Sequence, residues 1–302
     1  MVTKQFMEEV RAISGLRIQE EYSMKNATSF KIGGPVDVFA DAETKEALLA
    51  LTALCKKEDV PFMMVGAGSN LLVSDRGIDG VVCRLSGVFD EVEVTGNEIT
   101  AGAGVSLAKL AKAAQRAGLS GLEFASGIPG TLGGAVYMNA GAYGGEMKDV
   151  VLETEYLDEN GEIYTVSGHA HDFSYRHSVF SDKNGCILHT KMRLAPKDPD
   201  AIMETMRDLN SRRKEKQPLD KPSAGSTFKR PEGYFAAKLI EDAGLKGCSV
   251  GGAAVSEKHS GFVVNNGDAT CEDVCKLIEK VQKTVKEQFG VSLETEVKII
   301  GR

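Results

Sequence analysis

The chain has 302 residues, 42% of them hydrophobic and 26% charged, with a formal charge of −7. Those proportions are ordinary for a globular protein and leave room for two domains or more. They exclude a membrane-spanning helix, since no run of about 18 apolar residues occurs, and they argue against a nucleic-acid surface, which needs a basic face.

The start, MVTKQFMEEVRAIS, places acids where a signal peptide needs an apolar core. Residues 1–24 carry no motif and are expected as an N-terminal helical segment. TKEALLALTALCKKE, residues 44–58, reads as an amphipathic helix. VPFMMVGAGSN then reads as a short strand entering a glycine turn. GVVCRL, EVEVTGNEITAGAG and LETEYLDENGEIYTV supply strands and hairpins, with Asn160-Gly161 as a tight-turn pair. Ser106 caps a predicted helix, LAKLAKAAQRAG, which stops at Gly118. A boundary falls in APKDPD, residues 195–200. A charged helix follows, ending in RRKEKQP, and then the turn-rich KPSAGSTFKRPEG and the short helix YFAAKLIEDAG. Thr270 opens the last helix, with Asp273 as its capping-box partner. Val274, Leu277, Ile278, Val281, Val285 and Phe289 keep helical spacing, Gly290 ends it, and ETEVKII is the final strand. The expected organisation is a domain over residues 25–196, in two subdomains, and a smaller α+β domain over 200–302.

The six cysteines form no C-x-x-C and read as reduced thiols of a cytoplasmic protein. His169 and His171 have no third ligand at a convincing spacing, so no metal is expected.

SGIPGTLGGAVYMNAGAYGG, residues 126–145, is the most unusual stretch. Seven of its twenty residues are glycine and none is charged. Each glycine costs roughly 0.5–1 kcal/mol relative to alanine in an ordered segment. Tight turns at positive φ offset that cost, and so does close approach of backbone N–H groups to an anion. GAGSNL at 66–71 begins like a dinucleotide fingerprint but has Leu71 at the third glycine. No lysine follows the glycines at 127–134, so the phosphate-loop pattern fails as well. Two glycine loops some 60 residues apart, each beside strand material, can still close on an extended diphosphate.

KIGGP, VGAGSNLLV, the 126–145 segment, YRHSVF, KPSAGSTFKRP and TEVKIIG occur in this order from about residue 25 to the end. In that set the chain resembles the UDP-N-acetylenolpyruvoylglucosamine reductase family. The resemblance implies an α+β protein: a vanillyl-alcohol-oxidase-like FAD-binding fold followed by a substrate-binding domain. It implies FAD as cofactor, NADPH as reductant and a UDP-sugar enolpyruvyl ether as substrate, in peptidoglycan precursor synthesis. For the flavin it points to the first loop, Gly66, Ala67, Gly68, Ser69, Asn70 and Leu71. In the second it points to Ser126, Gly127, Ile128, Pro129, Gly130, Thr131, Gly133, Gly134 and Ala135, then Asn139, Ala140, Gly141 and Ala142.

Three residues match the family's catalytic positions. Arg176 in YRHS has the planar fork that suits a carboxylate and stabilises growing charge. Ser226 in AGSTF is, by that match, the expected proton donor, although by residue type alone it is a turn serine. Glu296 is chosen over Glu294, two residues away, because the family motif sets the acid directly before V-K-I-I. A carboxyl buried beside an anionic substrate stays protonated and donates a hydrogen bond. Tyr175, Arg212 and Lys216 are the expected substrate contacts. No tyrosine occurs between Tyr175 and Tyr234, so the inserted tyrosine loop of one family branch is absent and the chain resembles the shorter second branch. A flavin oxidase with histidine-tethered FAD is disfavoured, since the first histidine, His169, lies beyond both glycine loops.

Overall fold

The computed structural model describes residues 2–183 and 185–302. The chain divides into two units, each with its own hydrophobic core. The first comprises Met1–Glu20, Val38–Ala67 and Gly80–Arg213; the second comprises Glu21–Asp37, Gly68–Asp79 and Lys214–Arg302. Both mix helix and strand, so the α+β class expected from the sequence is the class observed.

The first unit opens with the helix Lys4–Arg11, capped by Thr3 and burying Phe6, Met7 and Val10. Residues 1–24 are not helical throughout. Gly15 turns the chain at φ +79°, and Leu16–Ser23 is a strand. Leu16 and Ile18 alternate with exposed Arg17 and Gln19, a period of two that no helix can bury on one side. The predicted 44–58 helix is Lys45–Lys57. Thr44 Oγ1 accepts from Ala47 N at 3.2 Å, and Ala47, Leu48, Leu51, Leu54 and Cys55 face the core. A four-stranded sheet runs in the order Leu16–Ser23, Pro35–Ala42, Ile78–Leu85, Phe62–Val65, its last pair parallel.

A five-stranded antiparallel sheet follows, in the order Ile163–Ser167, Val151–Asp158, Gly185–Arg193, Glu98–Gly102, Val92–Thr95. The first of its hairpins does not turn on Asn160-Gly161 alone. Asp158 N donates to Glu162 O at 2.9 Å, which leaves a three-residue loop with Gly161 at φ +85°. Asp158 Oδ1 accepts from the N–H groups of Asn160 and Glu162 and selects the longer turn. The helix Leu107–Arg116, capped by Ser106, buries Leu107, Leu110, Ala111 and Ala114.

In the second unit, four antiparallel strands run in the order Ser223–Ser226, Phe262–Asn265, Ala253–Val255, Ser249–Val250. The helix Cys271–Phe289 buries Cys271, Val274, Leu277, Ile278, Val281 and Val285 in this unit's core and ends at Gly290, φ +72°. Leu71–Val73 pairs in parallel with Lys298–Ile300. Arg302 clamps that end of the chain, with Nη2 2.7 Å from Asp37 and Nε 2.6 Å from Asp79.

Candidate active site

The two glycine loops expected to serve one ligand meet within the first unit at Gly66 and Thr131, where a Cβ on Gly66 would overlap the Thr131 hydroxyl oxygen. Thr131 caps the short helix Leu132–Tyr137, and its Oγ1 accepts from Gly134 N at 3.5 Å. Leu132 N and Gly133 N donate to Val105 O and Ala103 O, which pins the start of this helix to the strand end beside it.

Glycine in residues 126–145 serves the protein's own packing at several positions. A Cβ on Gly127 would overlap the Asn210 carboxamide oxygen, and one on Gly133 would come within 2.8 Å of Ala103 Cβ. Gly144 has a different reason. With Tyr143 it forms the two-residue turn of the hairpin Gly141–Ala142/Gly145–Glu146, at φ +54° and +90°, and positive φ at both central residues is what such a turn requires. Gly134 is exposed, and a Cβ there would meet only Thr131 Oγ1, at 3.6 Å. No protein atom explains its missing side chain. Open space at a glycine, beside the hydroxyl of Thr131 and in a segment with no charged side chain from 126 to 145, fits an anionic dinucleotide.

Glu123 braces the chain just ahead of this segment. Its carboxylate accepts from Ser120 Oγ at 2.6 Å and Gly121 N at 2.7 Å. Burial pushes this carboxyl up, but those two bonds, with its own backbone N–H and the charge of Lys197, together hold the group below the usual range. Its carbonyl accepts from Ser126 Oγ at 2.9 Å.

The side chain of Asn139, one of the residues expected at the flavin, is wholly buried. Its Nδ2 donates to Ser174 O at 2.9 Å and Glu146 Oε2 at 3.0 Å, and its Oδ1 accepts from Lys148 N at 2.9 Å. The side chain is consumed in tying the glycine segment to the Ser174–His177 turn. Ala135 is buried as well. Both were expected at the flavin from the family resemblance of the glycine segment, and burial is not written in a motif.

Arg176 occupies that turn. Ser174 and His177 exchange backbone bonds at 3.1 and 3.3 Å, and Tyr175 and Arg176 form the tip, with Arg176 at φ +56°. Its Nη2 approaches Gly141 O at 3.5 Å, and the guanidinium lies 5.1 Å over the Tyr175 ring. The next residues are fixed by Ser178 and Ser181, whose hydroxyls both donate to Tyr137 O, at 2.7 and 2.8 Å. Arg176 thus stands on the glycine segment at both ends of its turn.

Ser226 and Glu296 lie in the second unit and are brought close there. Glu296 N donates to Thr227 O at 2.9 Å, and Phe228 bridges Thr295. Ser226 is exposed, at a bulge after Gly225, φ +76°. Glu296 is half-buried, whereas Glu294 is exposed and paired with Lys229 at 2.9 Å. Asn70 belongs to the same cluster: Nδ2 donates to Glu296 O at 3.0 Å, and its carbonyl accepts from Lys298 N at 2.9 Å. Gly68, at φ +60°, is buried against Ala27, where a Cβ would overlap the carbonyl oxygen.

The expected substrate contacts fare unequally. Tyr175 is exposed beside Arg176. Arg212 is paired with Asp208 one helical turn back, Nη2 to Oδ2 2.8 Å. Lys216 is exposed at the last turn of the helix Pro199–Lys216.

Comparison with known proteins bears on the whole chain. Residues 36–167 match the FAD binding domain family model, and residues 217–300 match the C-terminal domain model of UDP-N-acetylenolpyruvoylglucosamine reductase. The reductase of that name from Caldanaerobacter subterraneus subsp. tengcongensis is 56% identical over 278 residues, 92% of either chain. The one from Agathobacter rectalis is 52% identical over 298 residues, 95% of either chain. The crystal structure of UDP-N-acetylenolpyruvylglucosamine reductase from Thermus caldophilus superposes with a TM-score of 0.82 at 36% identity, covering 94% of this chain and 99% of that one. An FAD-binding domain, a reductase-specific C-terminal domain and majority identity over nine-tenths of the length place the chain in the UDP-N-acetylenolpyruvoylglucosamine reductase family of flavoenzymes.

Proposed function

We propose that this chain reduces the enolpyruvyl ether of UDP-N-acetylglucosamine to UDP-N-acetylmuramate, with Arg176, Ser226 and Glu296 as its catalytic residues. The observation that carries the residue assignment is the pairing of Ser226's strand with the segment of Glu296, through Glu296 N to Thr227 O at 2.9 Å across some 70 positions of sequence. That bond ties together the two segments that carry the Ser226 hydroxyl and the Glu296 carboxyl, whereas Glu294 is exposed and paired with Lys229.

FAD, when bound, would supply the hydride chemistry that links NADPH to the vinyl methylene carbon. The residues that would hold it are Gly66, Thr131, Ser126 and the open face at Gly134, through backbone amides and hydroxyls. The protein's own task is charge and proton management. Arg176 presents a planar fork to the substrate carboxylate, which gains negative charge as the methylene becomes a methyl. Ser226 Oγ–H then gives its proton to the carbon beside the carboxylate, and the alkoxide is reprotonated from solvent. Glu296 hydrogen-bonds the same charge from the other strand. NADPH and nucleotide sugars are cytosolic metabolites, and the six free thiols suit a reducing compartment, so we assign the enzyme to the cytoplasm. No helix among the described residues is long and apolar enough to cross a membrane.

Ser226→Ala tests this directly. Bleaching of bound flavin by NADPH should stay within a few-fold of wild type. Reoxidation by substrate should slow by about 10²–10⁴-fold, the usual contribution of a positioned acid. Equal loss in both half-reactions would indicate a damaged fold, and no loss in either would return Ser226 to an ordinary turn residue.

A further inference from the structure

Three lines lead from Glu146 to Arg176, all within the first unit. The first runs through Gly141. Glu146 ends the hairpin Gly141–Ala142/Gly145–Glu146, where it is the register partner of that glycine. Its stem lies over it: a Cβ on Gly141 would come within 2.6 Å of Glu146 Cγ. Arg176 Nη2 reaches the carbonyl of the same Gly141 at 3.5 Å.

The second line runs through Asn139. Its Nδ2 is shared between Glu146 Oε2 at 3.0 Å and Ser174 O at 2.9 Å, and Ser174 begins the turn that carries Arg176. A carboxamide can turn over with little change of shape, exchanging donor and acceptor. Glu146 forbids that exchange, because a carboxylate only accepts, while Lys148 N supplies a donor to Oδ1 on the other side. The carboxylate is itself fixed. Lys148 Nζ lies 2.7 Å from Oε2, and Asp149 N donates to the same side chain in a capping box.

The third line is charge. Lys148 above all, then Asn139, hold the Glu146 carboxyl below its ordinary range against partial burial, and the positive charge of Arg176 adds to them. Glu146 is also the first acid in the chain after Glu123. An exposed lysine pair alone contributes little. A half-buried carboxylate committed to a wholly buried carboxamide is a different matter.

We infer that Glu146 is the positioning residue of Arg176: through Asn139 and Gly141 it fixes the turn that carries the guanidinium and keeps the fork in place for the substrate carboxylate. The inference rests on the catalytic assignment of Arg176 proposed above.

The test uses the flavin-loaded full chain as wild type, Glu146→Gln, Arg176→Met and the double variant. Calorimetric titration gives the Kd for UDP-N-acetylmuramate, which has the carboxylate, and for UDP-N-acetylglucosamine, which lacks it. Their ratio reads the arginine fork and not the rest of the site. Wild type should favour the carboxylate ligand by about tenfold or more, and Arg176→Met should lose that preference. Glu146→Gln should lose most of it and slow reoxidation of reduced flavin by substrate about 10- to 100-fold, the scale of a slightly misplaced group. Flavin reduction by NADPH should stay within about twofold of wild type, and in the Arg176→Met background Glu146→Gln should add less than about twofold to either loss. An unchanged ratio in Glu146→Gln overturns the inference. So does an equal loss with and without Arg176, which would mark a merely structural role. If Glu146→Gln does not fold, Glu146→Asp decides: it keeps the charge on a shorter arm and should reduce the ratio by at least about threefold, and an unchanged ratio there overturns the inference as well. If Arg176→Met keeps the wild-type ratio, the catalytic assignment of Arg176 fails and the inference falls with it, a result distinct from the others.

Discussion

Arg176 is held where an arginine is not at ease. At φ +56° it occupies the left-handed region, which costs an L-residue with a Cβ roughly 1–2 kcal/mol. It stands third in the four-residue turn Ser174–His177, a place where glycine or asparagine is preferred. The protein tolerates that cost because neighbours over-determine the turn: Asn139 bonds Ser174 O, and the two serines after it bond Tyr137 O. Strain kept by a surrounding network at a reactive group points to function. Arg176→Gly should leave the thermal midpoint equal to or above wild type while abolishing more than about 99% of turnover. Arg176→Lys keeps the charge but loses the fork, and should lower turnover by more than about tenfold with flavin retained. A marked drop in the midpoint of Arg176→Gly would show that the side chain holds the turn, and wild-type turnover in Arg176→Lys would remove it from the catalytic set.

Among the elements, the helix Cys271–Phe289 shows how a cap extends beyond its own sequence. Thr270 and Asp273 form the expected box, with Asp273 N to Thr270 Oγ1 at 3.1 Å and Thr270 N to Asp273 Oδ2 at 3.0 Å. The first two N–H groups of the helix, Cys271 and Glu272, instead donate to the Asp75 carboxylate at 2.9 and 3.1 Å. Asp75→Ala should cost about 1–2 kcal/mol in urea unfolding, the range for a lost N-cap. A cost below about 0.3 kcal/mol would mean that water serves those groups equally well. The Glu123 turn gives a pH dependence instead. Its carboxyl is depressed in the folded state, so it stabilises the fold above the unfolded value of about 4.3. That contribution is lost as pH falls through the lower folded value. Wild type should lose stability more steeply than Glu123→Gln between about pH 5 and pH 3. Parallel loss in the two proteins would remove Glu123 as the source.

At the level of the whole molecule, contiguous residues already specified the α+β class, the helices of 44–58, 107–116 and 271–289 with their caps, and the motif set that fixes the family. Capping, periodicity and turn preference act over a few bonds of backbone, so they can be read without the fold. The two glycine loops were legible for the same reason, as runs of one residue type, but the use made of each glycine was not. Gly127 and Gly133 are required by Asn210 and Ala103 and Gly144 by the positive φ of a hairpin turn, whereas Gly134 has room for a side chain. That the Asn139 carboxamide bonds Ser174, Glu146 and Lys148 is likewise not legible in the motif that holds it. Nothing local couples Asp75 to residue 271, or Ser226's strand to Glu296. Those pairings join positions some 70 to 200 residues apart. Tertiary structure alone chooses them, because the free energy that brings such residues together comes from burying each unit's core and not from the residues themselves.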